Sequence, residues 1–411
     1  MKSTLIHHIS SLEMVVPAGK PYLKGAEMSQ YETIQEAYVL IEDDKISGFG
    51  KQQDAPERAD IMIDATGKLV LPGWCDSHTH TVFAGSREQE FVDKIRGLSY
   101  QEIAARGGGI LNSAKKLLDT PEEALYDSAL ERITKIIHTG TTSLEIKSGY
   151  ALTTQGELKM LRVIRKLKEN LPIPIKATFL GAHAFPHEYK NNPEGYVKKI
   201  IDEMIPVVAS EGLAEFIDVF CDEGFFTPKQ TADILEAALR YGLIPKLHAN
   251  ELADSGGVEV AVQYRARSAD HLEHITDKQI ALLNSSSTMP TLLPSTSFFL
   301  KLPYAPARKM IDAGLPVALA SDYNPGSSPS GNMPFVLTLS CLYLQMLPKE
   351  SVAAATLNGA YAMCLEDVCG SIALGKKANL LITGKMESIA AIPYFFGSNP
   401  IEKVIINGKL L

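Results

Sequence analysis

Two histidines separated by one residue, His78 and His80, follow an apolar run from Lys68 to Leu71 that turns at Pro72-Gly73. On an extended strand residues i and i+2 face the same way, so both imidazoles enter one space and can share a cation. Histidines recur at the ends of other apolar runs. His183 follows Phe179–Ala182, His248 lies in Leu247-His248-Ala249-Asn250-Glu251, and His271 ends a further run. Asp322 closes residues 316–321. Each alone reads most simply as a satisfied structural residue. Together His78, His80, His248 and Asp322 supply three imidazoles and one carboxylate. That donor set suits zinc or another borderline divalent ion, with a position left open for water.

Other polar groups fall in the same register. Glu145, Lys147 and Tyr150 surround one strand end, and Asp222 and Glu223 close another. Glu251 lies just past His248. Arg87, shortly after the His pair, reads either as a solvated surface charge or as a bidentate holder of a substrate carboxylate. The turn Asn324-Pro325-Gly326-Ser327 is either a strand-to-helix connection or a binding loop. Gly107-Gly108-Gly109 lacks the GK[ST] of a phosphate loop and reads as a flap or a plain turn.

Eight short apolar strands must carry these residues, ending near His80, Lys147, Ala182, Asp222, Ala249, His271, Thr291 and Asp322. Helical patterns run between them, over 121–138, 155–170, 228–241 and 256–267. Alternating strands and helices over about 290 residues predict an α/β fold, a TIM (β/α)8 barrel, with an open doubly wound sheet as the other arrangement. A TIM barrel keeps its chemistry at the C-terminal strand ends, where these groups stand. Residues 1–70 and 363–411 change to hairpin patterning, as in 37–41, 46–50, 61–64, 379–383 and 403–408. Neither segment alone is long enough for a core, so the expectation is one small composite β-sandwich flanking a barrel of residues 71–362.

Composition narrows the partners. Of 411 residues, 45% are hydrophobic and 21% charged, with formal net charge −8, which argues against nucleic acid or an anionic membrane held by a basic surface. No stretch has signal-peptide or membrane-spanning character. Five cysteines without a CxxC pair predict free thiols and a reducing cytoplasm.

The order His-x-His, His, His, Asp along barrel strands one, five, six and eight resembles the amidohydrolase superfamily. Within it the chain is similar, end to end, to the imidazolonepropionase family. Asp76-Ser77-His78-Thr79-His80, Phe83-Ala84-Gly85-Ser86-Arg87 and Glu145-Ile146-Lys147-Ser148-Gly149-Tyr150 carry the likeness, with Phe179–His183, His248–Glu251 and Ser321–Gly326. The family more often has threonine where Ser327 stands. The resemblance implies hydrolysis of the ring amide of 4-imidazolone-5-propanoate to N-formimino-L-glutamate by an activated water. It implies one metal ion, zinc or iron, on His78, His80, His248 and Asp322. It implies substrate contacts from Arg87, Tyr150, His183, Glu251, Asn324, Gly326 and Ser327, and often a homodimer. Glu251, His271 and Asp322 would then share the proton transfers and carbonyl polarisation. Dinuclear relatives carry a lysine at the end of strand four; Phe220-Cys221-Asp222-Glu223 has none, so a single metal is expected. The rivals are a nucleobase deaminase of the same superfamily and a scaffold that has lost its metal. Arg87 with Tyr150 disfavours the first, and a complete ligand set disfavours the second.

Overall fold

The computed structural model describes residues 2–98 and 109–411, so Gly107 and Gly108 lie outside the described residues. Two sheets organise the chain. The first holds β1 (Ser3–Val15), β2 (Glu32–Glu42), β3 (Lys45–Lys51), β4 (Ile61–Asp64) and β5 (Lys68–Pro72). The C-terminal β14 (Leu380–Lys385), β15 (Ile401–Ile406) and β16 (Lys409–Leu410) complete it. Its order is β16-β15-β14-β5-β1-β2-β3, with β4 also paired to β1. The expected sandwich is thus one mixed sheet that curls round. Ile46 N of β3 donates to Lys376 O just ahead of β14 (2.9 Å), and Gly375 N donates to Ile46 O (2.9 Å). Its core joins Ile6, Ile9, Leu12, Val39, Ile63, Leu380 and Ile405 from both ends of the chain. The long β1 has no clean two-residue alternation, because its register shifts between Ile6 and Ile9 and again between Leu12 and Val15.

The second sheet is eight-stranded, and its neighbours pair in parallel: β6 (Trp74–Asp76), β7 (Thr141–Lys147), β8 (Ile175–Ala182), β9 (Phe216–Cys221), β10 (Ile244–Ala249), β11 (Ser268–His271), β12 (Met289–Leu292) and β13 (Ala318–Leu319). Parallel strands covered on both faces read as continuous apolar runs. β7, β9, β11 and β12 are buried along their whole length, but β7 and β11 depart from that pattern, carrying Thr141, Thr142, Ser143, Glu145 and Lys147, and Ser268 and Asp270. The seam between β13 and β6 closes just beyond both strands. Asp322 N donates to His78 O (3.0 Å), and His80 N donates to Tyr323 O (2.9 Å). The first and last strands therefore meet through the residues that carry the candidate ligands.

The crossover helices follow the sequence pattern: Glu122–His138, Thr154–Asn170, Pro228–Leu239 and Gly257–Gln263. Thr227 and Gln230 form a reciprocal capping box that starts the third of these, with Pro228 in its first turn. The two sheets exchange the chain at Gly73. Its N–H donates to Asn379 O (2.9 Å), while the next amide, Trp74 N, donates to Gly140 O of the barrel (2.9 Å). A Cβ at this position would sit 2.1 Å from Thr142 Oγ1, so glycine alone permits the close approach.

Candidate metal centre and active site

β6 and the turn after it bring His78 and His80 to the C-terminal mouth of the barrel. There the ring of His78 lies 5.3 Å from that of His80 and 4.5 Å from that of His248. Asp322 Oδ1 lies 3.6 Å from Nε2 of both His78 and His80, while its Oδ2 accepts from Thr296 Oγ1 (2.5 Å). One ligand atom each from His78, His80 and Asp322 falls within 4.8 Å of the others. The same holds for His78, His248 and His271. The predicted quartet thus appears as two overlapping trios that share His78, with His271 joining beside His248. His78 Nε2 is buried without a hydrogen-bond partner among the described residues. Burial, followed by the positive charge of Lys147 for His78 and of neighbouring histidines for both, holds His78 and His80 well below the usual histidine range. Neutral imidazoles with an orphaned buried nitrogen beside a carboxylate fit a divalent ion. A further trio, His7, His8 and Asp64, lies on the terminal sheet, but His8 and Asp64 are exposed and none of its nitrogens is buried and unpartnered.

Carboxylates buried in the barrel hold the histidines from behind. His78 Nδ1 donates to Asp270 Oδ2 (2.6 Å), and Asp218 Oδ2 lies 3.0 Å from His248 Nδ1. Lys147 Nζ donates to Asp218 Oδ2 (2.8 Å) and Glu145 Oε1 (2.7 Å) and lies 3.6 Å from Asp270 Oδ2. Lys246 pairs with Glu145 and donates to Ser77 O (2.9 Å). All five charged side chains are fully buried. The sequence placed Lys147 at a strand end, within a motif that carries the family resemblance, and assigned Asp218, Asp270 and Lys246 no role. A charge inside an apolar strand, as in Phe216-Ile217-Asp218-Val219-Phe220, was the available signal, because such a group must be paired. Asp76 was also unassigned; it accepts from Ser321 N (2.9 Å) and Ser321 Oγ (2.6 Å), and burial pushes its carboxyl up to about 7.

Beside the trios, His271 Nε2 lies 3.7 Å from Glu251 Oε2, and His271 Nδ1 lies 3.8 Å from Glu273 Oε2. Burial pushes Glu251 up to about 7 despite the pull of His271. Burial opposes charge on His271, but Glu251 and Glu273 outweigh it and raise the imidazole to about 10. Asp222, expected only as a strand-end acid, accepts the amides of Glu251 (2.8 Å), Leu252 (2.9 Å) and Ala253 (3.2 Å) and so shapes the loop that presents Glu251. His271, Asn250 and Asp322 hold φ of 81°, 54° and 50°, a region that side chains occupy at a cost and that clusters at working sites.

The remaining residues form the outer wall. The Tyr150 ring lies 5.6 Å from His80 and 5.3 Å from His183. Burial raises the Tyr150 hydroxyl above the usual phenol range. His183 Nδ1 donates to Gly149 O (3.0 Å), and burial lowers this imidazole to about 3. Arg87 stands 5.8 Å from the Tyr150 ring centroid; its Nε donates to Ser113 Oγ (2.9 Å) and its Nη2 is buried without a partner among the described residues. Asn324 Oδ1 accepts from Gly326 N and Ser327 N (both 2.8 Å), and Asn324 Nδ2 donates to Ser327 Oγ (2.7 Å). This turn abuts Arg87 so closely that a Cβ on Gly326 would lie 2.4 Å from Arg87 Nη1.

Comparison with known proteins agrees with this architecture. Residues 69–411 match the model of the amidohydrolase family. An imidazolonepropionase of Christiangramia forsetii is 54% identical over 99% of this chain and 99% of its own. One of Flavobacterium johnsoniae is 53% identical over 99% and 100%, and one of Geobacillus kaustophilus 42% over 100% and 98%. Among solved structures, a triazine hydrolase variant superposes with TM-score 0.78 at 16% identity, covering 100% of this chain and 95% of its own. The guanine deaminase of E. coli gives 0.74 at 15%, covering 100% and 99%. At such identities these two likenesses establish the fold alone.

Proposed function

The chain belongs to the amidohydrolase family and, within it, to the imidazolonepropionases, and from that premise we propose that it hydrolyses the ring amide of 4-imidazolone-5-propanoate to N-formimino-L-glutamate. The observation that carries this reading is the line from Arg87 through Tyr150 to His80, with 5.8 Å and 5.6 Å separations. It puts a half-buried guanidinium at the rim of a histidine- and carboxylate-lined mouth. A propionate tail suits that cation, whereas an uncharged nucleobase leaves it without a partner.

His78, His80, His248 and Asp322 would hold one metal ion, and His271 adjoins them. When bound, the ion supplies Lewis acidity that makes water nucleophilic near neutral pH; zinc and iron both accept these ligands. Water oxygen adds to the ring carbonyl carbon, the carbon–nitrogen bond breaks, and the departing nitrogen takes a proton. Glu251 takes the proton from water and delivers it to that nitrogen. His271, charged at neutral pH through Glu251 and Glu273, donates to the carbonyl oxygen as it gains negative charge. Asp322 assists in orienting the water. Arg87 and Tyr150 hold the propionate, and His183 with the Asn324, Gly326 and Ser327 turn lines the ring.

The reading extends to the whole protein. Residues 1–70 and 363–411 form the flanking β domain, residues 71–362 are the catalytic domain, and the setting is cytoplasmic. A homodimer is supported by exposed Leu342, Tyr394 and Phe395, which line one groove and form an apolar surface of the kind that partners cover. No described helix is long and apolar enough to cross a membrane.

The test is to supply purified full-length protein with imidazolone propionate, quantify N-formimino-L-glutamate, and measure bound metal. Product formation with one metal per catalytic site is expected. Ammonia release from guanine or cytosine, without opening of the imidazolone, would overturn the assignment.

A further inference from the structure

Lys147 lies behind the metal-facing histidines, on the floor of the barrel mouth. Its ammonium stands 2.8 Å from Asp218 Oδ2 and 3.6 Å from Asp270 Oδ2. Those two carboxylates reach different histidines, His248 and His78, at 3.0 Å and 2.6 Å. All three linking side chains are fully buried. One cation thus joins two carboxylate–histidine pairs that arise from β7, β9, β10, β11 and the turn after β6.

We propose that Lys147 is a positioning residue that orients His78 and His248 as a unit toward the bound metal, an inference that rests on the metal-centre reading above. Like charges buried together repel strongly where solvent cannot screen them, and a shared ammonium is what lets both carboxylates stay in place. An ionised carboxylate has only acceptor sites, so Asp270 takes Nδ1–H from His78 and leaves its Nε2 lone pair free, while Asp218 Oδ2 stands 3.0 Å from Nδ1 of His248 and sets the position of that ring. Two further contacts limit the freedom of the assembly. Asp218 Oδ1 accepts from the backbone amide of His248 (3.1 Å), which fixes one end of that carboxylate. Glu145 holds Lys147 from the other side and accepts from Thr178 Oγ1 (2.5 Å). Without the ammonium, Asp218 loses its bonded cation and Asp270 is left with only the more distant charge of Lys246, which is paired to Glu145, so both histidines lose backing together.

The test compares full-length wild-type protein with Lys147→Met, titrating Zn2+ against a chromophoric chelator and recording the visible spectrum of the Co2+-loaded form. A 10- to 100-fold weaker Zn2+ affinity, the range found when outer-shell partners are removed, is expected with an altered Co2+ spectrum and native circular dichroism. Wild-type affinity and an unchanged Co2+ spectrum in folded Lys147→Met protein would overturn the proposal, even if its melting temperature fell. Should Lys147→Met not fold, Asp218→Asn, Asp270→Asn and their double variant are measured instead. Coupling through one ammonium makes the combined loss of affinity depart from the product of the single losses, and simple multiplication would overturn it. Wild-type protein that binds no Zn2+ or Co2+ at this centre would refute the metal-centre reading instead.

Discussion

In the proposed reaction Glu251 moves the proton while His271 donates to the carbonyl oxygen, and the shifted ionisation of Glu251 makes its part measurable. Glu251 acts as a base only when ionised, and burial pushes its carboxyl up to about 7. Activity should therefore rise about tenfold per pH unit up to about pH 7 and then level off, as read from the pH profile of kcat/KM. Glu251→Gln should lower kcat by about 100- to 10,000-fold while metal content stays at the wild-type level. Normal turnover in that variant would remove Glu251 from the mechanism. Arg87 works differently, through binding. Arg87→Ala should chiefly raise KM, by about 2–4 kcal/mol if the carboxylate contact is desolvated, and an unchanged KM would mark the arginine as structural.

At the scale of elements, His248 and His271 stand on strands, while His78, His80, Glu251 and Asp322 follow strand ends, so the segments past the strands need support of their own. Asp222 provides it for residues 251–253 by accepting three successive amides, with a fourth from Glu223 N (2.7 Å). Asp222→Ala leaves those donors without their carboxylate. The expected outcome is a loss of about 2–3 kcal/mol in denaturant melts, together with a fall in kcat as Glu251 loses its position. A stable variant with wild-type kcat would show that the loop holds its shape unaided.

For the molecule as a whole, three of the proposed metal ligands, His78, His80 and Asp322, also stand at the barrel's seam. His78 and Asp322 share a backbone hydrogen bond where the first and last strands meet, as do His80 and Tyr323. A metal binding there grips the folded state alone, so its removal should cost stability. Chelation should lower the melting temperature, and Zn2+ should restore it, by an amount equal to about 2.7 kcal/mol at a hundredfold excess over Kd. Equal melting temperatures with and without metal would place the ion outside the seam.

The local code was legible because several strands end in apolar runs, as at 179–182 and 316–321, where the next polar residue stands out, although β7 and β11 are fully buried and largely polar. His78, His80, His248, His271, Glu251 and Asp322 could be picked out on that ground, and capped helices such as Pro228–Leu239 could be placed within a few residues. The terminal hairpins showed their turns, while β1 was missed because its bulges break the alternation. Three-dimensional packing decided what sequence spacing could not express. Lys147 looked like one more polar group at a strand end, yet the barrel turns its ammonium inward to Asp218 and Asp270, 71 residues and farther along the chain. Asp222 looked like a strand-end acid and proved to be the scaffold of the Glu251 loop. Which residues occupy strand ends is a local property of pattern and period. Which buried charges neutralise one another depends on where eight strands converge, and only the closed barrel sets that.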